Sequence, residues 1–352
     1  MVVPDASDSR LDALARWVAE DLGFAGCRIE PASADASFRR YFRVTRGSDS
    51  YIVMDAPPDK EALEPFLRVA RSLKGMGLNV PVILASDVRQ GLLLLSDLGT
   101  RQYLDQLAAN RDVDRLYDDA LDALVRMQTR GEEAAHALPA YDRELLHREM
   151  ELMPEWFLER HLEAPANPET RAMLDRLFEF LSQNALAQPA TFVHRDYHSR
   201  NLLITGEDNP GILDFQDAVR GAVTYDAVSL LKDCYIAWPR KRVHGWLLAY
   251  RRALIAAGFG LAAEDDEFVR WFDLMGLQRH IKVLGIFARL FYRDGKPGYL
   301  KDLPRVLAYT REAAALYPQT AEFAEHLAAL AERFSAAQAR SLPGARAGAG
   351  RT

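Results

Sequence analysis

The hydrophobic period of this chain changes near Gly99, and that change limits what it can fold into. Before it, apolar residues fall in short β-prone runs. "SFRRYFRVT" and "SYIVMDA" flank "RGSDS", and "VPVILASD" and "GLLLLSDLG" flank the turn-like "DVRQG". Such runs separated by Gly, Ser and Asp predict two strand pairs. Two amphipathic helices accompany them. In "SRLDALARWVAEDLGF", Leu11, Leu14, Ala15, Val18 and Leu22 share one face, with Asp8 or Ser9 as cap; "DKEALEPFLRVARSLKGMG" stops near Gly75 and Gly77. Beyond Gly99, helix spacing runs through "RDVDRLYDDALDALVRMQTRG", "DRELLHREMELMPEWFLERHL" and "ETRAMLDRLFEFLSQNAL", and resumes from Tyr225. The short apolar runs "ATFVH", "NLLIT" and "GILDF" lie between. We expect an α+β chain with a strand-rich part over 1–98 and a mostly helical part over 99–335. Residues 336–352 are small and Gly-rich, bury too little to offset ordering entropy, and are expected to be disordered.

Several function classes are disfavoured by charge and composition. Lys and Arg total 44 against 50 Asp and Glu, a net charge of −6. No basic arm or domain points to nucleic acid. Cys27 and Cys234 make neither a disulfide framework nor a zinc cluster, which fits a reducing compartment. The opening "MVVPDASDSR" has no charged segment followed by an apolar run. No stretch approaches the roughly 18 apolar residues of a membrane span. A cytoplasmic protein is expected.

One constellation carries chemistry. His194-Arg195-Asp196-Tyr197-His198-Ser199-Arg200-Asn201 fits H-R-D-x-x-x-x-N, and Asp214-Phe215 follows after one short hairpin. This is the catalytic-loop and metal-loop pattern of ATP-dependent kinases. Phosphoryl transfer needs an acceptor hydroxyl held in line with the γ-phosphate, and cations to neutralise the charge spreading over the phosphoryl oxygens. Asp196 can accept the hydroxyl proton. The Asn201 side-chain oxygen and the Asp214 carboxylate are hard ligands suited to Mg²⁺. "NLLIT" and "GILDF" form a two-strand frame to bring those ligands together. His194 reads as a brace for the loop. Arg195 and Arg200 can contact phosphate or form salt bridges.

These residues and their flanks resemble the aminoglycoside phosphotransferase and choline kinase superfamily. His198 stands where protein kinases usually carry lysine. No A-P-E motif follows Asp214, and Asp226 in "TYDAVSLL" is similar to the helix-starting aspartate of small-molecule kinases. More narrowly, "DASFRRYFRV", "YIVMDAPP", "FVHRDYHSRNLL", "GILDFQDAVRGAVTYDAVSLLKDCYIAWP" and "LQRHIKVLGIFARLFYRDGK" resemble the anomeric sugar kinases of bacterial cell-wall recycling. Those enzymes phosphorylate the C1 hydroxyl of N-acetylmuramate and N-acetylglucosamine. The resemblance covers roughly residues 30 to 330. It implies a bilobal protein-kinase-like fold, ATP and Mg²⁺ as cofactors, and an amino-sugar acceptor.

It also implies that "LLLLSDLG" is an interlobe hinge, with the Ser96 carbonyl and the Leu98 N–H as adenine contacts. Met54 stands where kinases carry a phosphate-binding lysine. Ser37, Arg39 and Arg40, in the position of the Gly-rich loop, are candidates for the missing donors, and Arg39 or Arg40 for part of the lysine's role. A muramate acceptor carries a lactyl carboxylate and calls for a cation. Gln278, Arg279 and Lys282 are candidate acceptor contacts on one helix, with a solvated basic face as the alternative. His198 is a further acceptor candidate, and Asp217 either binds sugar hydroxyls or orients Asp214. Tyr235 and Trp238 are either sugar-stacking rings or core. An aminoglycoside- or choline-type kinase and a nucleotide-binding pseudokinase are the competing readings.

Overall fold

The structure is a computed structural model, described over residues 8–34 and 38–341. Ser37 lies outside the described residues, as do 342–352. The chain groups into two compact units. One comprises Met1–Gln102 with Asn201–Asp217, the other Tyr103–Arg200 with Ala218–Thr352.

The first unit begins with α1 (Ser9–Arg16), where the Asp8 carboxylate accepts the N–H groups of Arg10 and Leu11, each at 3.2 Å. A wider π-type turn, Trp17–Asp21, continues it. Then come β1 (Arg28–Ala34), β2 (Arg40–Arg46), β3 (Asp49–Asp55), α2 (Glu64–Gly75), β4 (Ile83–Asp87) and β5 (Leu92–Ser96). They form one antiparallel sheet in the order β1-β2-β3-β5-β4. The expected strand pairs are present. β1 was not foreseen, because Arg28, Glu30 and Pro31 spoil its alternation; its pairing slips between Pro31 and Ser33, as an edge strand tolerates. Phe42 opposite Val53 sets the register, and with Val44, Leu92 and Leu94 these residues pack on Leu14, Trp17 and Val18. Met54, one residue along, points to the other face, where it is fully buried.

The second unit runs through α3 (Tyr103–Ala108), α4 (Val113–Arg130), α5 (Glu132–His136), α6 (Arg143–Met150), α7 (Pro168–Leu186) and β6 (Ala190–Val193). The chain then enters the first unit through β7 (Leu202–Leu203) and β8 (Gly211–Ile212). It returns as β9 (Val219–Ala222), α8 (Tyr225–Leu231), α9 (Arg240–Ala256), α10 (Asp265–Tyr292), α11 (Leu303–Ala314), α12 (Ala321–Ala329) and α13 (Ala331–Ser341). β9 pairs antiparallel with β6, Val193 opposite Val219.

Two further expectations are corrected. "DRELLHREMELMPEWFLERHL" is not one regular helix: α6 ends at Met150 and a π-type segment, Met153–His161, follows, because Pro154 has no N–H to continue the ladder. The tail expected to be disordered from residue 336 is helical as far as Ser341, since Ala337 is buried and Arg340 reaches Glu163 at 3.3 Å.

The 28-residue α10 is the centre of the second unit. It packs against α6, α7, α8, α9 and α11, so its middle is buried on every side. The close approach depends on glycine: a Cβ on Gly285 would lie 2.3 Å from the Leu152 carbonyl carbon. Gly285→Ala is expected to destabilise the protein by about 3 kcal/mol, the upper end for overpacking. Gly245 in α9 has nothing within 4 Å of its Cβ position. Gly245→Ala should therefore stabilise by about 0.5–1 kcal/mol. Urea melts of the two variants check the pair, and equal midpoints would contradict the packing.

Candidate active site

In the first unit, the short β7–β8 ladder positions two of the chemistry-bearing residues. It pairs Leu202 with Ile212 and Leu203 with Gly211. The Leu213 N–H donates to the Asn201 carbonyl at 2.9 Å, the Ile212 N–H to Asn79 at 2.8 Å and the Ile204 N–H to Arg101 at 2.8 Å. Phe215 is buried 4.9 Å from Phe66 of α2. So anchored, Asn201 and Asp214 meet: Asn201 Nδ2 lies 3.3 Å from Asp214 Oδ2. Asp214 sits at φ +62°, a left-handed conformation that strains any residue with a Cβ. Gln216 donates to Asp214 at 2.9 Å and to Asp217 at 3.3 Å, so Asp217 joins the group through Gln216.

Arg39 and Arg40, adjacent in sequence, part company. Arg40 pairs with Asp55, its cross-strand partner, at 2.6 Å, and also with Asp8, while Arg10 grips the same fully buried Asp55. That is a clamp holding α1 to the sheet. Arg39 is nearly buried and pairs with Glu61 at 3.2 Å. Burial works against its charge, but Tyr41, Glu61, Asp217 and Asp214 outweigh it and raise its pKa. Arg39 is thus a cation that feels the charge of the Asp214 group. Glu61, ahead of α2, was missed because one acid in "DKEALEP" has no distinguishing spacing. Ser96 ends β5, its N–H bonded to Val82 at 2.9 Å, and the Leu98 side chain packs over Gly211.

The second unit holds the other half of the motif. His194 is fully buried, and its N–H donates to Asp226 at 2.6 Å. The Arg195 N–H donates to the second Asp226 oxygen at 3.0 Å. Arg195 adopts φ +77°, and the carboxylate holds both N–H groups at that strained turn. On its other side, the Arg195 carbonyl accepts from Arg279 at 2.8 Å and from Ser229 at 3.2 Å. Asp233 grips the Ser199 N–H at 2.9 Å. The loop is fixed at three points, with Asp196 between them.

A dry charge network surrounds it. Glu149 of α6 accepts from Arg195, Tyr141 and Lys282, the last at 2.8 Å. Tyr225 receives Arg279 at 3.0 Å and Lys282 at 3.2 Å. Arg279 is 3.7 Å from the Asp196 carboxylate, whose side chain keeps 39% of its surface exposed. Burial pushes the Asp196 pKa up, but the Arg279, Lys282, His198 and Arg195 charges outweigh it and hold it at about 2. Burial lowers the pKa of His198, so its imidazole is neutral near pH 7. An open carboxylate, ionised at neutral pH and immobilised by its backbone, can accept a proton and aim a hydroxyl oxygen.

The α10 candidates are placed differently from a solvated basic face. Gln278, Arg279 and Lys282 are all buried. Arg279 bonds the Arg195 carbonyl and Tyr225, and Lys282 bonds Tyr225 and Glu149, because α10 is enclosed on all sides. Trp238 is half-buried, bonded to Tyr117 at 2.7 Å and edge-on to Trp246. Glu149, Tyr225 and Arg195 were not read as a network, since their contacts join separate helices. Among the described residues no group of three or more His, Cys, Asp or Glu side chains could hold a metal ion, and no helix is long and apolar enough to cross a membrane.

The chain is similar to known proteins. The model of the phosphotransferase enzyme family matches residues 28–269. The chain is 48% identical over 335 residues to an N-acetylmuramate/N-acetylglucosamine kinase of Pseudomonas aeruginosa, covering 92% of this chain and 98% of that one. A protein of the same name from Pseudomonas putida is 45% identical, over 92% and 97% of the two chains. Among solved structures, the GDP complex of wild-type aminoglycoside 2'-phosphotransferase-IIIa shares the fold with a TM-score of 0.57 at 16% identity, covering 87% of this chain and 98% of that one.

A pH test follows from Asp226. Burial raises its pKa to about 7 in the fold, against an ordinary value of 3.8. Between those values the folded chain binds more protons than the unfolded one, so stability falls as pH rises. The stability advantage of the wild type over Asp226→Asn should therefore shrink from about pH 5 to about pH 8 in paired urea melts. A pH-independent difference would contradict the burial of this carboxylate.

Proposed function

The chain belongs to the phosphotransferase enzyme family, and from that premise we propose that it uses ATP to phosphorylate the anomeric C1 hydroxyl of N-acetylmuramate and N-acetylglucosamine. The observation that carries the reading is an ionised, immobilised and open Asp196 in one unit, with an oxygen-donor pair and its arginine in the other. The names of the two Pseudomonas relatives supply the sugars. A small-molecule kinase of this kind acts as a monomer in the cytoplasm, where ATP and recycled sugars are available.

Each residue has a role that its surroundings allow. Asp196 accepts the proton of the C1 hydroxyl as its oxygen attacks, and orients that oxygen. Because Arg279 stabilises the anion, Asp196 is a weak base, and its contribution is mainly alignment. Neutral His198, next along the loop, hydrogen-bonds sugar hydroxyls. Arg39 takes the place of the missing phosphate lysine, with Glu61 fixing its direction. The Ser96 carbonyl and Leu98 N–H contact the adenine.

The oxygen donors fit a divalent cation. Asn201 and Asp214 are adjacent, and turning the Asn201 amide presents its oxygen rather than its nitrogen. Two side chains suit Mg²⁺, which typically keeps several waters and takes its other ligands from phosphates. Bound there, Mg²⁺ would neutralise charge on the phosphoryl oxygens. Met54 does not make the chain inert: it is buried in the sheet, and Arg39 supplies a cation. Turnover is thus favoured over a purely nucleotide-binding role.

Incubation with ATP, Mg²⁺ and each free sugar should yield an acid-labile sugar 1-phosphate, and excess chelator should abolish it. Turnover of aminoglycoside or choline alone would overturn the substrate reading. Asp196→Asn should lower kcat by ~10²–10⁴-fold. Arg39→Ala should raise the ATP KM or lower kcat, whereas Arg40→Ala should lower the melting temperature and leave the ATP KM unchanged. An unchanged ATP KM and kcat for Arg39→Ala would remove its role.

A further inference from the structure

A muramate acceptor differs from a glucosamine one by a lactyl ether on C3, which ends in a carboxylate. The site must then offer a cation that is not already neutralised. The buried cations around Asp196 do not meet that condition. Arg195 and Lys282 are paired with Glu149, and Arg279 is bonded to the Arg195 carbonyl and Tyr225. Each would have to abandon a buried partner, which is costly for a desolvated charge.

Arg200 is different. It ends the same loop, and its side chain is exposed. The guanidinium lies 4.7 Å over the Tyr235 ring and 6.0 Å from that of Tyr299. Asp302, a nearby acid, is taken by Arg305 at 2.9 Å. Aromatic faces orient a guanidinium plane while leaving its N–H edge for a carboxylate. Tyr235 also contacts His198 edge-on at 5.4 Å, so one ring links Arg200 to the residue two positions beyond Asp196. Phe287, 6.1 Å from Tyr235 and 5.3 Å from Tyr299, closes the apolar side of this wall.

We propose that Arg200, braced on Tyr235 and Tyr299, binds the lactyl carboxylate and so sets the preference for N-acetylmuramate over N-acetylglucosamine. This rests on the sugar-kinase reading above. N-acetylglucosamine has only a hydroxyl at C3 and does not use this contact. The bond is a charge-assisted, two-point one that forms on binding, so it acts chiefly on the sugar KM.

The test measures kcat and KM for both sugars at saturating ATP in the full chain, for wild type, Arg200→Gln, Arg200→Lys and Tyr299→Leu. Arg200→Gln should lower kcat/KM for N-acetylmuramate by ~10–100-fold, mostly through KM, the scale of a lost charged hydrogen bond. The value for N-acetylglucosamine should change by less than about 3-fold, within the scatter expected of an uninvolved contact. Arg200→Lys should retain part of the preference, and Tyr299→Leu should lose part of it. Equal losses for both sugars, a raised ATP KM, or an unchanged preference would overturn the assignment. If the wild type phosphorylates neither sugar, the substrate reading itself has failed and the Arg200 role falls with it.

Discussion

The Asp226 carboxylate has one task on which the catalytic loop depends: it holds two successive backbone N–H groups, those of His194 and Arg195. Arg195 is left-handed, a conformation that costs of order 1–3 kcal/mol and persists only when its surroundings impose it. Asp226 imposes it from one side and Arg279, through the Arg195 carbonyl, from the other. Beyond that turn the Asp196 side chain is partly exposed. The strain at Arg195, the burial of Asp226 and the partial exposure of Asp196 are one arrangement seen at three residues.

The arrangement also explains why α10 carries cations through the middle of a helical unit. Burying Arg279 and Lys282 is costly unless each charge is matched and hydrogen-bonded. Glu149, Tyr225 and the Arg195 carbonyl supply the matching groups. What is left over acts as field: Arg279 lies near Asp196 without a short hydrogen bond to it, which keeps the carboxylate ionised and its exposed side open. The first unit follows the same logic on a smaller scale. Its arginine–acid clamp at the buried Asp55 supports the sheet, and the neighbouring Arg39, paired with Glu61, feels the charge of the Asp214 group.

How much of this could be read from the sequence depended on range. The β2–β3 and β4–β5 pairs were legible because alternation and turn residues are local signals. The spacing from Asp196 to Asn201 and on to Asp214 was legible because one loop and one hairpin carry it. β1 was hidden by a proline and two charges. β9 was hidden because four residues, "VRGA", give too short a period to count. The surroundings of Arg279 and Lys282 were not legible for a different reason. Their three-residue spacing marks a shared helix face, but nothing local tells whether that face meets water or other helices. Glu149, on a distant helix, decides it, and only the folded chain brings it there. Nor does periodicity reveal that the chain leaves one compact unit at Arg200 and returns to it at Ala218.

The most direct test of this account is the titration of the Asp196 side chain itself, followed by carboxyl carbon NMR in aspartate-labelled protein, with Asp196→Asn identifying the signal. A frame of buried cations around a partly open carboxylate predicts a midpoint at about 2, below the ordinary value of 3.8. A midpoint at or above the ordinary value would mean that burial dominates, that Arg279 does not act on Asp196, and that the loop is not held as described.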